Sequence, residues 1–314
     1  MAKRFKSLIF ILLMCMMVII MTACNGNPAE TIPETEIVAQ APTEEPTIPP
    51  TTIPETEPPT EAPTEPPYVF DPENIEYPIQ YSDDSAVIAI YKEWYESAWC
   101  YAAHLEYTDY SRFGTDCAYG KYNAGYETTT VAAERIGAIL CINGSYSLPK
   151  YKHCVVTHGE IQNGKNNSCW APGIYNANTG KLFSIWDNPG GNRIGGVNLT
   201  ELVDAKLVTD TFSYSPPIVT DGEITANDDS VERRVLIGTN EEPGDIWIVV
   251  TNGNQNDGES DGLTYTQCAN YMLEKGCTFV IPLDGGVNAT MVYEGVILNA
   301  VKSEKAVFDF VYFK

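Results

Sequence analysis

Apolar and polar residues follow helical spacing in three parts of the chain. The clearest helix is predicted over residues 264–275, with Thr264 as its N-terminal cap and Gly276 as its stop. A second helix is predicted over residues 129–136, which begin with threonine and are followed by glycine. A third, shorter helix is predicted over residues 200–205. Most of the remaining pattern is that of strands.

Runs rich in β-branched and aromatic residues, separated by Gly, Asn and Pro, predict these strands. They cover residues 138–142, 155–156, 182–186, 234–238, 246–250, 279–281, 290–293 and 306–313. Two further runs, 87–92 and 99–107, fit either a β-hairpin or one amphipathic helix, because periodicity alone does not separate the two. The order of elements predicts an α+β fold, with a mixed, largely antiparallel sheet and a few packed helices.

The N-terminal pattern predicts export. Three basic residues precede an apolar run over residues 8–21, which ends shortly before Ala23 and Cys24. This pattern is typical of a secretory signal peptide, here residues 1–23. An uncleaved membrane anchor is the alternative, but it needs about 20 apolar residues. Cys24 directly after Ala23 resembles the bacterial lipobox, which predicts a lipidated cysteine and a lipid anchor at the extracellular face of the cell membrane.

Residues 24–67 have the composition of a linker. They are rich in Pro, Thr and Glu and contain neither Lys nor Arg. Such a segment cannot bury enough apolar surface to fold, and its prolines keep it extended. We therefore predict a disordered stalk that carries a single folded domain over residues 68–314.

The charge and cysteine content of this domain restrict its chemistry. Its 16 basic and 33 acidic residues give a net charge of −17. Nucleic acid is therefore an unsuitable partner, and a strongly anionic polymer would be repelled unless a local basic group or a metal intervened. The domain has an odd number of cysteines without zinc-type spacing, and its three histidines are scattered. The cysteines are predicted to be buried thiols or disulfide bridges, with no nucleophile among them. The histidines are predicted to have surface or core packing roles.

One short segment combines a carboxylate with two glycines at the end of a predicted strand. An apolar run ends at Asp284, Gly285 and Gly286 follow, and a second apolar run begins after them. Glycine lets the backbone approach a ligand closely, so this arrangement indicates a binding or catalytic site. A β-turn with a favoured Asp-Gly pair is the structural alternative.

Several motifs, in order along the chain, resemble those of the phosphodiester glycosidase family. They comprise residues 138–146, 156–161, 212–222, 234–238, 262–264, 283–286 and 290–291. The resemblance covers about residues 86–303. It implies a single domain of that family, which hydrolyses the bond between a sugar anomeric carbon and a bridging phosphate. Bacterial members are often described as exopolysaccharide-biosynthesis proteins, which implies an envelope or extracellular glycan as the substrate.

The resemblance also implies roles for particular residues. Arg234 would neutralise the departing phosphate, for which a planar guanidinium is suited. Asp284 would be the base or nucleophile, and Asn143 would bind the sugar or orient Asp284. The predicted substrate-binding residues are Gly144, Gly262, Thr264, Gly285, Gly286 and Thr290. Three of these residues also have a purely structural interpretation: an ion pair for Arg234, a turn for Asn143 and simple helix capping for Thr264.

Some positions depart from the family pattern. Val287 and Asn288 stand where the family usually has glycine and serine, and Asn252 and Asn254 replace charged residues. These differences support an alternative function, a catalytically impaired glycan-binding lipoprotein of the same fold. The acidic loop 252–261 could hold a calcium ion, which prefers oxygen ligands, or could simply be a solvated loop.

Overall fold

The computed structural model describes residues 70–146, 153–164, 171–184 and 199–314. The predicted signal peptide, Cys24 and all of the predicted linker lie outside these residues. Within the described part of the chain, no helix has both the length and the apolar character needed to cross a membrane.

Strands make up most of the described domain. They are β1 (Ile79–Ser82), β2 (Ala86–Tyr95), β3 (Ala98–Tyr107), β4 (Phe113–Cys117), β5 (Glu127–Thr128), β6 (Leu140–Asn143), β7 (Val155–Thr157), β8 (Glu160–Asn163), β9 (Gly173–Asn176), β10 (Lys181–Phe183), β11 (Asp210–Phe212), β12 (Val219–Thr220), β13 (Glu223–Ile224), β14 (Val235–Thr239), β15 (Asp245–Thr251), β16 (Phe279–Leu283), β17 (Met291–Tyr293), β18 (Val296–Ile297), β19 (Ala306–Val307) and β20 (Asp309–Phe313). The described helices are α1 (Thr129–Ile136), α2 (Leu199–Asp204) and α3 (Tyr265–Glu274).

Two large sheets and two helices form four layers. An eight-stranded sheet has the order β1-β2-β3-β15-β14-β16-β12-β13, and a five-stranded sheet has the order β18-β17-β6-β20-β4. The main core lies between these sheets and contains side chains such as Ile237, Ile281, Ile142 and Val311. Helix α3 packs on the outer face of the larger sheet, and α1 packs on the outer face of the smaller one. Both faces of each sheet are therefore covered.

The strand pairs between described residues are antiparallel, and the predicted α+β class is confirmed. The ambiguous runs at 87–92 and 99–107 form the β2–β3 hairpin, with Ile90 paired to Ala103. The predicted helix over 129–136 has the observed bounds, and Thr128 accepts a hydrogen bond from the Val131 N–H at 3.4 Å. The predicted strand over 306–313 is wrong in one respect, because Phe308 separates β19 from β20. The two short strands pair with different neighbours, β5 and β4/β6.

Five cysteines of the described residues are free and have packing roles, whereas Cys154 is disulfide-bonded. Cys100, Cys117, Cys141, Cys268 and Cys277 are buried free thiols. Burial raises the pKa of Cys268 and of Cys277 to about 12, so these thiols stay protonated at neutral pH. They are unsuited to nucleophilic catalysis.

Candidate active site

Asp284 lies directly after β16, at the edge of the main core. The residues of β16 are all buried, and Asp284 itself is only 8% exposed. Its N–H donates to the Gly144 carbonyl oxygen at 3.1 Å, and its own carbonyl accepts from Asn143 Nδ2 at 2.6 Å. Because Asn143 ends β6, these contacts join the end of a strand in each large sheet. The carboxylate is thus held where the two sheets meet.

Asn143 and Thr290 support the loop that carries this carboxylate. Asn143 is fully buried, and its Oδ1 accepts from the Thr290 N–H at 3.0 Å while its Nδ2 is bonded to Asp284. Thr290 is also fully buried, and its hydroxyl donates to the Asn288 carbonyl at 3.1 Å. Both side chains therefore make contacts with the backbone of the loop. This geometry fits the predicted orienting role of Asn143, while direct contact of either residue with a substrate stays a prediction.

Gly285 and Gly286 lie against the backbone of Arg233. A Cβ atom at Gly285 would be 2.4 Å from the Arg233 carbonyl oxygen, so no side chain fits there. The same oxygen accepts from the Gly286 N–H at 2.9 Å, which leaves that N–H engaged within the protein. Arg233 is only 2% exposed, and its Nη2 donates to the carbonyls of Ala289 at 2.7 Å and Ala300 at 3.0 Å. Sequence reasoning missed this supporting role of Arg233.

Arg234 points to a different environment from Arg233. It is 7% exposed; its Nε donates to the Leu263 carbonyl at 2.9 Å, and its Nη2 donates to the Ser230 carbonyl. The guanidinium carbon lies 3.9 Å from the centre of the Tyr265 ring, a cation–π contact. Among the described residues Nη1 has no hydrogen-bond partner, and no carboxylate forms an ion pair with this guanidinium. The predicted structural ion pair is therefore absent from this part of the chain.

The strand register brings Arg234 towards Asp284. Val235 on β14 is paired with Leu283 on β16, and Arg234 and Asp284 directly adjoin this last pair of the register. Since the two side chains do not form an ion pair with each other, the charge of neither is neutralised by the other. A site with a buried cation and a buried carboxylate on neighbouring strands can bind an anion beside a base.

Gly262 and Thr264 form the turn that presents the Leu263 carbonyl to Arg234. Gly262 has a φ of +115°, and a Cβ atom there would lie 2.5 Å from the Glu232 carbonyl oxygen. Thr264 caps α3 in a capping box, in which its Oγ1 accepts from the Gln267 N–H at 3.1 Å. The predicted capping role of Thr264 is confirmed. Substrate contacts of Gly262 and Thr264 stay predictions.

Gly144 connects Asp284 to a second buried carboxylate, Asp309. The Gly144 N–H donates to the Asp309 carbonyl at 2.7 Å, and a Cβ at Gly144 would lie 2.9 Å from the Asp309 carboxyl carbon. Asp309 Oδ2 also accepts from the Ser145 N–H at 2.9 Å. Asp309 was missed at the sequence level, because it lies 164 residues from Ser145. The turn at residues 143–145 is thus fixed from both sides.

The surroundings of Asp284 favour its protonated form. The pKa of its carboxyl group is raised to about 6, mainly by burial. A hydrogen bond from Asn288 Nδ2 at 2.7 Å lowers this pKa, and the charge of Asp309 raises it. Asp284 is therefore ionised at neutral pH but is a stronger base than an exposed aspartate. Values near the working pH are those expected of a catalytic base.

This shift has a consequence for stability. Because the folded-state pKa of Asp284 exceeds the usual 3.8, the favourable contribution of its neutral form is complete below about pH 4 and is lost as the pH rises through about 6. Asp284→Asn, which is neutral throughout, should raise the free energy of unfolding at pH 7 by roughly 2–3 kcal/mol. The gain should vanish below about pH 4. Urea denaturation at several pH values measures both.

A second carboxylate provides the control. Asp116 accepts from Arg135 Nη1 at 2.7 Å in a partly exposed ion pair. Asp116→Asn should leave stability at pH 7 unchanged or slightly lower. If Asp284→Asn behaved in the same way at every pH, the explanation based on burial would be wrong.

The acidic loop 252–261 is held by its own hydrogen bonds. Asp257 accepts from the Ser260 N–H at 2.8 Å and from Asn252 Nδ2 at 2.7 Å. Burial opposes ionisation of Asp257, but these hydrogen bonds outweigh it and lower its pKa to about 2. Within the described residues, the one group of three His, Asp or Glu side chains close enough to share an ion lies elsewhere, at His104, Glu106 and Asp245 on β3 and β15. The hydrogen bonds of Asp257 explain the conformation of the loop 252–261, and a calcium ion there stays a prediction.

Comparisons with known proteins agree with this description. The sequence profile of the phosphodiester glycosidase family matches residues 137–314. The fold is similar to that of the zebrafish N-acetylglucosamine-1-phosphodiester alpha-N-acetylglucosaminidase catalytic domain, auto-inhibited by pro-peptide, with a TM-score of 0.54 and 14% identity over 73% of this chain and 82% of that one.

It is also similar to a hypothetical protein from Synechocystis, with a TM-score of 0.52 and 10% identity over 74% of this chain and 62% of that one. No curated protein sequence matches the chain. At such identities the structural matches show a shared fold. The profile match spans more than half of the chain, and the chain belongs to the phosphodiester glycosidase family.

Proposed function

We propose that this protein hydrolyses sugar-1-phosphodiester linkages in envelope or extracellular glycans. The observation that carries the proposal is the buried guanidinium of Arg234, which has no carboxylate partner among the described residues. Arg234 directly precedes β14, the strand that pairs with β16, and Asp284 directly follows β16. A buried charge without an opposite charge beside it is costly unless a ligand supplies that opposite charge. A phosphodiester carries the complementary charge. The zebrafish relative acts, by its name, on a sugar-1-phosphodiester.

Arg234 has the properties needed to stabilise the leaving group. When the bond between the anomeric carbon and the phosphate oxygen breaks, its electron pair stays with that oxygen and the phosphate gains a second negative charge. A guanidinium fixed by Leu263 and Ser230 can stabilise this charge without reorganising, which lowers the barrier more than it tightens binding of the substrate. Phosphate is also a better leaving group than a sugar alkoxide, so a strong general acid is less necessary than in ordinary glycosidases.

Asp284 serves as the base. Water attacks the anomeric carbon, and the proton that it loses passes to the ionised carboxylate of Asp284. The products are the free sugar and a phosphate monoester, and the proton leaves Asp284 to solvent. The raised pKa of Asp284 increases its proton affinity while leaving it mostly ionised at pH 7.

This activity can be tested with N-acetylglucosamine-1-phosphate methyl ester as the probe, chosen from the name of the zebrafish relative. The purified full chain should convert the diester to methyl phosphate and free sugar, which ³¹P and ¹H NMR detect together. The alternative function, a glycan-binding lipoprotein that does not cut, is supported by Asn252 and Asn254 in place of charged residues and by Val287 and Asn288. Absence of turnover on a series of sugar-1-phosphodiesters, together with retained glycan binding, would establish that alternative.

We further propose that the protein acts at the extracellular face of the bacterial cell membrane, anchored through Cys24. The support is the basic and apolar pattern of residues 1–23 and the position of Cys24 after Ala23. If the lipid alone attaches the protein to the membrane, Cys24→Ala should move the exported protein from the membrane fraction to the soluble fraction. If the Cys24→Ala protein stayed with the membrane, an uncleaved N-terminal anchor would be the better explanation.

A further inference from the structure

Tyr214 lies on the segment that connects the surroundings of the two charged groups of the candidate site. It follows β11 and is half-buried. The preceding residue, Ser213, donates its N–H to Ser145 Oγ at 3.1 Å. Ser145 adjoins Gly144, whose carbonyl accepts from the Asp284 N–H at 3.1 Å. The N-terminal side of Tyr214 is thus tied to the turn that holds Asp284.

The C-terminal side of Tyr214 is tied to the surroundings of Arg234. The next residue, Ser215, lines the same cavity as Tyr265. The Tyr265 ring lies 3.9 Å from the guanidinium carbon of Arg234. The chain therefore runs from the Asp284 side of the site to the Arg234 side, and Tyr214 is the residue in the middle of this span.

The phenol of Tyr214 is a hydrogen-bond donor without a partner in the described part of the chain. Its hydroxyl forms no hydrogen bond to any described residue. The pKa of Tyr214 is raised to about 12, mainly by burial. The charges of Asp284 and Glu232 and the neighbouring Tyr265 raise this pKa further, and the charge of Arg234 lowers it. The hydroxyl is therefore protonated at neutral pH, and its charged neighbours include the two groups to which catalysis is assigned.

On the basis of the function proposed above, we propose that Tyr214 donates a hydrogen bond to a phosphate oxygen of the bound phosphodiester. Arg234 supplies a fixed charge from one side, and Tyr214 supplies a neutral donor between that charge and the base. An O–H donor to an anionic oxygen gains strength as the phosphate acquires its second charge, so the contact contributes to the rate as well as to binding.

Tyr214→Phe tests this assignment, because it removes the hydroxyl and keeps the ring. The expected result is a kcat/KM for N-acetylglucosamine-1-phosphate methyl ester reduced roughly 10- to 100-fold, and a weaker affinity for methyl phosphate in calorimetry. The thermal midpoint should not change, since the hydroxyl bonds to no described residue. Tyr126→Phe is the matched control: Tyr126 is 53% exposed and packs on Phe308 with ring centroids 4.8 Å apart. It should behave as the unmodified protein does in all three measurements.

The outcomes separate this assignment from the proposed function. If the unmodified chain cuts the diester and Tyr214→Phe matches it in kcat/KM and in methyl phosphate affinity, the assignment to Tyr214 is overturned and the function stands. If the unmodified chain does not cut but binds methyl phosphate, and Tyr214→Phe weakens that binding, the assignment stands and the function fails. If the unmodified chain neither cuts nor binds, both are overturned.

Discussion

Replacing Asp284 by asparagine is expected to lower kcat/KM for a sugar-1-phosphodiester by roughly 10²–10⁴-fold, the usual contribution of a general base. Asparagine keeps the shape of the side chain and an oxygen that can accept from Asn288, but it cannot take a proton from the attacking water. The same substitution should stabilise the fold at pH 7, so loss of activity would not reflect unfolding. Steady-state kinetics beside urea denaturation of the same sample measures both effects.

The pH dependence of the unmodified protein provides the matching evidence. Because the pKa of Asp284 is raised to about 6, kcat/KM should fall below about pH 6 as this carboxylate becomes protonated. The residual kcat/KM of Asp284→Asn should not fall in this way below pH 6. If the same fall persisted in Asp284→Asn, a different group would be responsible for the pH dependence.

The second large effect is expected at Arg234. Arg234→Met should reduce kcat/KM by roughly 10²–10³-fold, the typical loss when one donor to the developing charge is removed. Methionine keeps part of the packing on Tyr265 but removes the hydrogen bonds that Arg234 donates to the Leu263 and Ser230 carbonyls, so a modest loss of stability is also expected. Arg234→Lys should recover part of the rate, because it restores the charge without the planar fork.

Arg112 provides a matched control for this prediction. Its guanidinium pairs with Asp83 at 2.7 Å, and its ring contact is with Phe313 at 4.5 Å. Arg112→Met removes a charge and a cation–π contact of the same kind, but no contact joins it to the candidate site. It should leave kcat/KM unchanged. An equal fall in kcat/KM for Arg112→Met and Arg234→Met would contradict the role assigned to Arg234.

The helices were predictable because their determinants are local. Thr264 and Gln267 form the capping box within one turn of α3, and Gly276 follows the helix with a φ of +84°. Thr128 and Gly137 delimit α1 in the same way. These features depend on residues a few positions apart, so they can be read from the sequence without knowledge of the fold.

The distinction between Arg233 and Arg234 could not be made from the sequence. The β14 strand that follows them is buried at every position, because its sheet lies between the five-stranded sheet and α3. A strand covered on both faces shows no alternation of polar and apolar residues, so the pattern does not reveal which neighbour faces which layer. The motif directed attention to Arg234, while the support that Arg233 gives to the loop after Asp284 depends on contacts across the fold.

Asp309 and Tyr214 were missed for a related reason. Both join the site through the turn at residues 143–145, Asp309 by contact with Ser145 and Tyr214 through its neighbour Ser213. Such contacts form only after distant strands have paired. The segment 212–222 was identified by its family resemblance, but nothing in its residue pattern separates Tyr214 from the other aromatic residues around it.

The central claim is that the protein breaks the bond between the sugar anomeric carbon and oxygen rather than a phosphorus–oxygen bond. Both cleavages convert N-acetylglucosamine-1-phosphate methyl ester to methyl phosphate and free sugar, so product identity alone does not distinguish them. Hydrolysis in ¹⁸O-labelled water does, with mass spectrometry of both products quenched early to limit exchange at the anomeric hydroxyl. The proposed mechanism predicts the label in the sugar and unlabelled methyl phosphate. Label in methyl phosphate would mean attack at phosphorus and would contradict the mechanism assigned to Asp284 and Arg234.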